Sequence, residues 1–293
     1  MASPAPKNYF SRAGVVTRGE LTPTESVICP ICSIAPQSFA VDFNGFTLCR
    51  CPQCSLEFVS PRLTFDELAE QIYTEHYMPV CGGDSTADLR PMFERQMGHI
   101  ERLVGRKGRI LDIGCGTGDF LTFAAERGWS IAGADIMDYT GGRLGDCPMY
   151  AGRLGEIDFG GEAFDAVRMN HVIEHTQDPV AEMRICRDLL RPDGILFVSV
   201  PNIAGLSSRA KNFQSRFGLK SKPWRHYAAL HHLFFFSPAT LKAAAEHAGL
   251  RVVETRTPVL HKSSRSALSE SLYRLLFEPT GWAGIVDVYC KRA

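Results

Sequence analysis

The sequence predicts an α/β fold, a doubly wound and mostly parallel sheet, preceded by a small module tied together through cysteines. Two features of the 293-residue chain carry this prediction. From residue 88 onward, short apolar runs alternate with segments of helical periodicity, the pattern of strands joined by crossover helices. Ahead of them, CPIC at 29–32 and CPQC at 51–54 form two C-x2-C pairs. The length accommodates one large domain and one small one, and the 45% apolar content supplies a core for the larger.

Taken in order, the chain opens on MASPAPKNYF, which lacks the apolar centre of an export signal, and residues 1–24 read as a flexible terminus. No apolar run approaches the ~20 residues of a membrane span, so a cytoplasmic location is predicted. There, cysteines do not pair as disulfides; scattered ones read as buried thiols and clustered ones as metal ligands. The cluster lies in residues 25–62. Cys29, Cys32, Cys51 and Cys54 form C-x2-C-x18-C-x2-C, a spacing in which each knuckle aims two thiolates at one ion and two knuckles complete a tetrahedron. Cys49 competes for one position. Between the knuckles, SFAVDFNGFTLCR reads as two short strands around Asn44-Gly45, a strong hairpin signal. A zinc ribbon follows, its Zn2+ structural because four thiolates leave no coordination position open.

Residues 63–104 read as a helical linker and cover, with Leu89, Met92, Phe93, Gln96, Ile100 and Leu103 on helical spacing. The domain at 105–293 places strands at about 109–114, 130–136, 148–152, 164–170, 195–201, 251–258 and 283–291. The first of these runs into Gly114, Gly116 and Gly118, whose alternation permits a tight turn and close approach of a ligand to main-chain N–H groups. The next strand ends on Asp135, placed at the carboxyl edge to accept hydrogen bonds from ribose hydroxyls. An adenosine-like ligand is predicted.

The spacing G-x-G-x-G, with Asp119 and Phe120 where a dinucleotide fingerprint needs its last glycine, resembles the first motif of class I S-adenosyl-L-methionine (SAM)-dependent methyltransferases. FDAVRMNHVIEH at 164–175, DPVAEMRICRDLLRPDGILFVSVPN at 178–202 and HLFFFSPATLKAAAEHAGLRVVE at 232–254 follow that family in order. The resemblance implies a Rossmann-like seven-stranded sheet of order 3-2-1-4-5-7-6, with SAM as cofactor. It implies that Asp112 orients the methionine amino group, that Gly114, Cys115, Gly116 and Gly118 form the cofactor loop, and that Asp135 and Ile136 meet the ribose. Arg153 and Leu154, beside Gly152, are placed near the adenine, and Asn170 and His171 face the amino group. The N-terminal part resembles the zinc-ribbon extension of a bacterial subgroup acting on small molecules and glycans. In that subgroup the following segment helps to close the substrate side, which nominates Tyr73, His76 and Tyr77 as pocket residues or as domain packing.

His171, Glu174 and His175 spell H-x-x-E-H. A zinc-protease reading requires a helix, whereas this stretch follows a strand and precedes a Gln-Asp-Pro turn. Ubiquinone-type O-methyltransferases offer a second resemblance, since some carry Glu-x-x-Glu-His here and bind a divalent ion. His171 stands at the first glutamate's place, and an imidazole replacing a hard oxygen ligand argues against Mg2+. Glu174 and His175 are then pocket-orienting groups, or His175 is a general base. Of His226, His231 and His232 beyond the fifth strand, His232 is the candidate for acceptor contact or base duty.

Lys plus Arg equals Asp plus Glu, 32 each, which argues against general nucleic-acid binding. Within that balance, the insertion at 203–232 lies in an acid-free interval from Asp193 to Glu246 and gathers Arg209, Lys211, Arg216, Lys220, Lys222 and Arg225. Leu206, Ala210, Phe213 and Phe217 mark it as a basic amphipathic helix, either a lid over a phosphate-bearing acceptor or a contact with an anionic membrane. A second insertion, 260–280, carries Leu268, Leu272, Leu275 and Leu276 at helical spacing and reads as a pocket cover or a dimer contact. The function predicted is methyl transfer from SAM to an oxygen of a small or carrier-linked acceptor. The alternatives are an RNA methyltransferase gripping its substrate through the ribbon, and a SAM-binding or zinc-ribbon interaction module without catalysis.

Overall fold

The computed structural model describes residues 23–71, 86–259 and 267–293. Nearly all of the predicted flexible terminus, and Tyr73, His76 and Tyr77, lie outside the described residues. Strands β1 (Gln37–Val41) and β2 (Thr47–Arg50) pair antiparallel around the Asn44-Gly45 turn, and β3 (Glu57–Val59) adds to β2. Asp42 Oδ1 accepts from the N–H groups of Asn44 and Phe46 at 3.0 and 2.9 Å, and Gly45 takes a φ of +95° that side chains disfavour. Thr64 and Glu67 form a reciprocal cap, Thr64 N–H donating to Glu67 Oε2 at 2.7 Å, which starts helix α1 (Phe65–Gln71).

The large sheet begins after α2 (Thr86–Val104). Its elements are β4 (Arg109–Ile113), α3 (Asp119–Glu126), β5 (Ser130–Asp135), β6 (Met149–Ala151), β7 (Phe164–Asn170), α4 (Pro179–Leu189) and β8 (Leu190–Pro201). They are followed by α5 (Leu206–Arg216), β9 (Phe234–Phe235), α6 (Pro238–His247), β10 (Leu250–Arg256), α7 (Ala267–Phe277) and β11 (Ile285–Arg292). The seven strands lie in the order β6-β5-β4-β7-β8-β11-β10, the first five parallel and β11 antiparallel to both neighbours. Counted within the sheet, this is the predicted 3-2-1-4-5-7-6. β7 is buried from Phe164 to Met169 and β8 from Gly194 to Val200, as strands covered on both faces must be. Asp178 caps α4 by accepting from Val180 and Ala181 N–H at 3.0 and 2.9 Å, with Pro179 in the first turn.

The ribbon is joined to the larger domain through its sheet. β9 comes from beyond β8, yet it pairs with β3 through Glu57↔Phe235 and Phe58↔Phe234, making β1-β2-β3-β9. Tyr227 reinforces the seam by donating its buried hydroxyl to Glu57 Oε2 at 2.7 Å. Core packing is continuous across the seam: Leu48, Leu56 and Phe58 share one apolar cluster with Tyr227, Phe234 and Phe236.

Under the large sheet's carboxyl edge lies a buried polar network. Arg168 on β7 donates to Asp112 Oδ1 on β4 at 2.6 Å and to Gln96 Oε1 on α2 at 3.1 and 3.0 Å, while Gln96 Nε2 donates to Asn170 Oδ1 at 2.8 Å. The guanidinium sits 3.8 Å from the Phe120 ring centroid, shielded from water on α3's side. Removing one partner of such a pair strands the other charge in the core. Asp112→Ala is therefore expected to lose about 3–5 kcal/mol of stability, measured as a fall in the urea midpoint. A variant with unchanged midpoint would show that Arg168 finds compensation elsewhere.

Candidate active site

The glycine turn, the end of β5 and the loop after β7 meet at the carboxyl edge. Gly114, Gly116 and Gly118 have φ of +70°, +53° and +79°. A Cβ on Gly114 would lie 2.3 Å from Val172 Cγ2, so glycine is what lets the loop after β7 close against the turn. Asp135 accepts from Gly116 N–H through Oδ2 at 2.8 Å and from Ile136 N–H through Oδ1 at 2.7 Å. Burial raises its carboxyl to about 6, the two N–H groups pulling the other way. The folded pKa exceeds the unfolded value, so this group's stability contribution is greatest in acid and is lost as pH rises through about 6. The charged form thus carries a cost in fold stability.

A cleft opens over this turn, concave as small-molecule sites are. Its wall includes the predicted Gly114, Asp135, Ile136, Arg153, Leu154, His171 and His175. It also includes Phe65, Tyr139, Gln177 and Glu182, which sequence reasoning missed. Phe65 stacks under the Arg153 guanidinium at 4.2 Å, so the helix after the ribbon supplies one wall. Gln177 offers an amide whose nitrogen and oxygen are both buried without a hydrogen-bond partner, a donor and an acceptor for a ligand's polar edge. Glu182 is pushed up to about 7 by burial, with Asp178 adding to the rise. The signal for these last two was the DPVAE cap itself, which fixes the first turn of α4 at the cleft.

Other predicted residues are placed elsewhere. Asp112 is not on the cleft wall: its Oδ1 is engaged by Arg168 in the core. Asn170 is likewise turned to Gln96. Cys115 directs its thiol into the sheet, where a Cβ on Gly133 would lie 2.9 Å from the sulfur, and its N–H goes to the Ala134 carbonyl at 3.3 Å. Gly116 acts through its N–H on Asp135, and Gly118 starts α3, where a Cβ would lie 2.8 Å from Leu144. No residue of the basic insertion 203–232 lines the cleft.

The histidines form a second cluster. His171 adopts φ +56°, uncommon for a non-glycine residue, and its Nδ1 lies 3.2 Å from Glu174 Oε1. His175 Nδ1 donates to the His231 carbonyl at 2.8 Å. A carbonyl only accepts, so Nδ1 carries the proton and Nε2 keeps its lone pair free. Burial holds this imidazole below its usual pKa, with Glu174 opposing, so it is neutral at pH 7. His232 contacts His175 edge to face at 4.7 Å but is not on the cleft wall, whereas His175 is. His226 is tied to Asn212 Oδ1 at 2.7 Å. Ligand atoms of Glu174, His175 and His232 lie within 4.8 Å of one another, but two imidazoles and one carboxylate do not suit Mg2+, which requires oxygen ligands.

In the ribbon, the sulfurs of Cys29, Cys32, Cys51 and Cys54 lie within 4.8 Å of one another, Cys29 and Cys54 3.5 Å apart. Tetrahedral Zn2+ with Zn–S ~2.3 Å requires edges of roughly 3.8 Å, so the set fits such an ion with small adjustments. Burial opposes a thiolate at Cys51, yet N–H groups of Cys54 and Gln53 bring it down to about 7. Cys49 is outside the set, its thiol donating to the Ser60 carbonyl at 3.3 Å.

Residues 89–255, more than half of the chain, match the family described as a methyltransferase domain. The chain is 33% identical over 173 residues to a ubiquinone biosynthesis O-methyltransferase of Dinoroseobacter shibae, covering 54% of this chain and 65% of that protein. It is 34% identical over 139 residues to the enzyme of that name from Ruegeria pomeroyi, covering 43% and 54%. The chain therefore spans about half to two thirds of the length of these relatives. Burkholderia thailandensis 1,6-didemethyltoxoflavin-N1-methyltransferase, solved with bound 1,6-didemethyltoxoflavin and S-adenosylhomocysteine, shares the fold with a TM-score of 0.54 at 17% identity, covering 88% of this chain and 99% of that one.

Proposed function

Because the chain belongs to the methyltransferase-domain family, we propose that it is a SAM-dependent methyltransferase acting on a hydroxyl of a small or carrier-linked acceptor. The observation that carries the reading is Asp135, a half-buried carboxylate on the cleft wall held by the glycine turn. Its remaining lone pairs would accept from the ribose hydroxyls. Ile136 and Leu154 would give the adenine apolar walls. When bound, SAM supplies a methyl group on a positively charged sulfur, an electrophile that needs chiefly a nucleophile held in line.

The choice of oxygen rests on the ubiquinone O-methyltransferase relatives and on His175. Its free Nε2 accepts the hydroxyl proton as the oxygen becomes nucleophilic, and the adjacent Glu174 carboxylate offsets the imidazolium that forms. Glu174 Oε2 is buried without a hydrogen-bond partner, which leaves its charge available for that purpose. The ribbon, in this reading, binds Zn2+ structurally and holds β9 in place.

Three measurements test this. His175→Gln should lower kcat about 10²–10⁴-fold while S-adenosylhomocysteine affinity stays within about two-fold by calorimetry; a kcat unchanged in the folded variant removes the base role. Asp135→Ala should weaken S-adenosylhomocysteine binding by about 1.5–3 kcal/mol, and wild-type affinity should fall as pH drops below about 6, where the carboxyl protonates. Affinity flat from pH 7 to pH 5 would contradict that protonation. Cys51→Ser should abolish zinc in elemental analysis and lower Tm; an equal zinc content in both proteins would refute the ligand set.

A further inference from the structure

Helix α5 is attached to the protein by its polar side. Ser208 Oγ donates to the Asn202 carbonyl at 3.2 Å, Asn212 bonds both Tyr227 and His226, and Ser215 Oγ accepts from Trp224 N–H at 2.9 Å. The apolar stripe predicted for a lid faces away from the protein: Leu206, Phe213, Phe217 and Leu219 are 43, 59, 62 and 66% exposed. Phe213 and Phe217 pack against each other, tilted, with ring centroids 4.5 Å apart. Leu206 N–H donates to the Trp282 carbonyl at 2.9 Å, and Trp282 N–H to Phe277 at 3.3 Å, so the patch continues through exposed Trp282 toward the end of α7. Of the 13 exposed large hydrophobics among the described residues, nine fall in these two segments. Scattered exposure is ordinary, whereas concentration of this kind marks a contact surface.

The charge along α5 and the segment after it is of one sign. Arg209, Lys211, Arg216, Lys220, Lys222 and Arg225 lie in the acid-free interval, and none makes an ion pair among the described residues, whereas Arg62, Arg109, Arg127 and Arg191 are paired. The uncompensated field reaches the interior: His226 is lowered to about 4 by burial, then by Lys211 and Lys220. Lys222 lies 5.0 Å from the ring centroid of half-exposed Phe43, extending the surface to the ribbon hairpin.

We propose that α5 and the segment through Lys222 dock on an anionic lipid surface, with Phe213, Phe217 and Leu219 entering the boundary between headgroups and acyl chains and the six cations meeting lipid phosphates. Exposed aromatic and leucine side chains ringed by lysine and arginine match the two requirements of such a surface, apolar area and attraction to anionic headgroups. A second copy of the chain fits less well, because a self-complementary interface would bring the same cations face to face. No described helix is long and apolar enough to span a membrane, so the attachment is to one leaflet. An eleven-residue α5 is roughly 16 Å long and starts just after β8, so docking holds the sheet's carboxyl edge close to the lipid.

Flotation with vesicles tests this without reference to methyl transfer. The full chain should bind phosphatidylcholine vesicles containing phosphatidylglycerol, release at raised salt, and ignore pure phosphatidylcholine. Phe213→Ser/Phe217→Ser and Arg216→Glu/Lys220→Glu/Lys222→Glu should each reduce the bound fraction on the order of ten-fold, with Tm and S-adenosylhomocysteine affinity unchanged, since these side chains are exposed. Absence of wild-type binding to the anionic vesicles overturns the proposal, as does binding that both variants retain. A dimer in sedimentation velocity that Phe213→Ser/Phe217→Ser dissolves, with no vesicle binding, would assign the patch to a second copy instead.

Discussion

The buried pair of Arg168 and Asp112 fixes the geometry on which the cleft depends. Asp112 stands two residues before Gly114, and Arg168 three before His171, so their 2.6 Å contact aligns the two strands from which both cleft loops depart. Gln96 extends the constraint to α2 and to Asn170 at the end of β7. A buried ion pair is a weak source of net stability because desolvation offsets its attraction. Its effect here is on register: a slip between β4 and β7 would leave a guanidinium facing aromatic rings without its carboxylate partner.

A second constraint ties the ribbon to the histidine cluster. Leu233 donates its N–H to the Glu174 carbonyl at 2.7 Å, and its own carbonyl accepts from Val59 N–H at 3.0 Å. One peptide segment thus connects β3, the loop after β7 and the residues entering β9. The small module has too little core to stand alone, and the larger domain supplies it with a strand and with Tyr227. In return, the ribbon determines where the main chain of His231 and His232 lies.

Much of this was legible in the sequence because it rests on local pattern. Strand order followed from motifs in sequence, the four ligand positions from knuckle spacing, and Asp135 from its place at a strand tip. What escaped was long-range. Phe65 and Glu182 reach the cleft only because α1 and α4 pack there. The Asp112 partner, 56 residues away, also escaped, although an arginine inside the apolar run FDAVRMN already signalled a buried counter-charge. Periodicity located the stripe on α5 but says nothing about which way it faces; hydrogen bonds from Ser208, Asn212 and Ser215 decide that.

The orientation of His175 is set by a main-chain carbonyl, which every residue type at position 231 would supply. Sequence drift at that position can alter size, charge or polarity and still present the same acceptor, so the tautomer is insulated from side-chain evolution. Its vulnerability lies in displacement of the backbone instead. Insertions or deletions between Tyr227 and Phe234 would rotate the ring's free nitrogen away from the cleft while leaving every residue around the imidazole chemically intact.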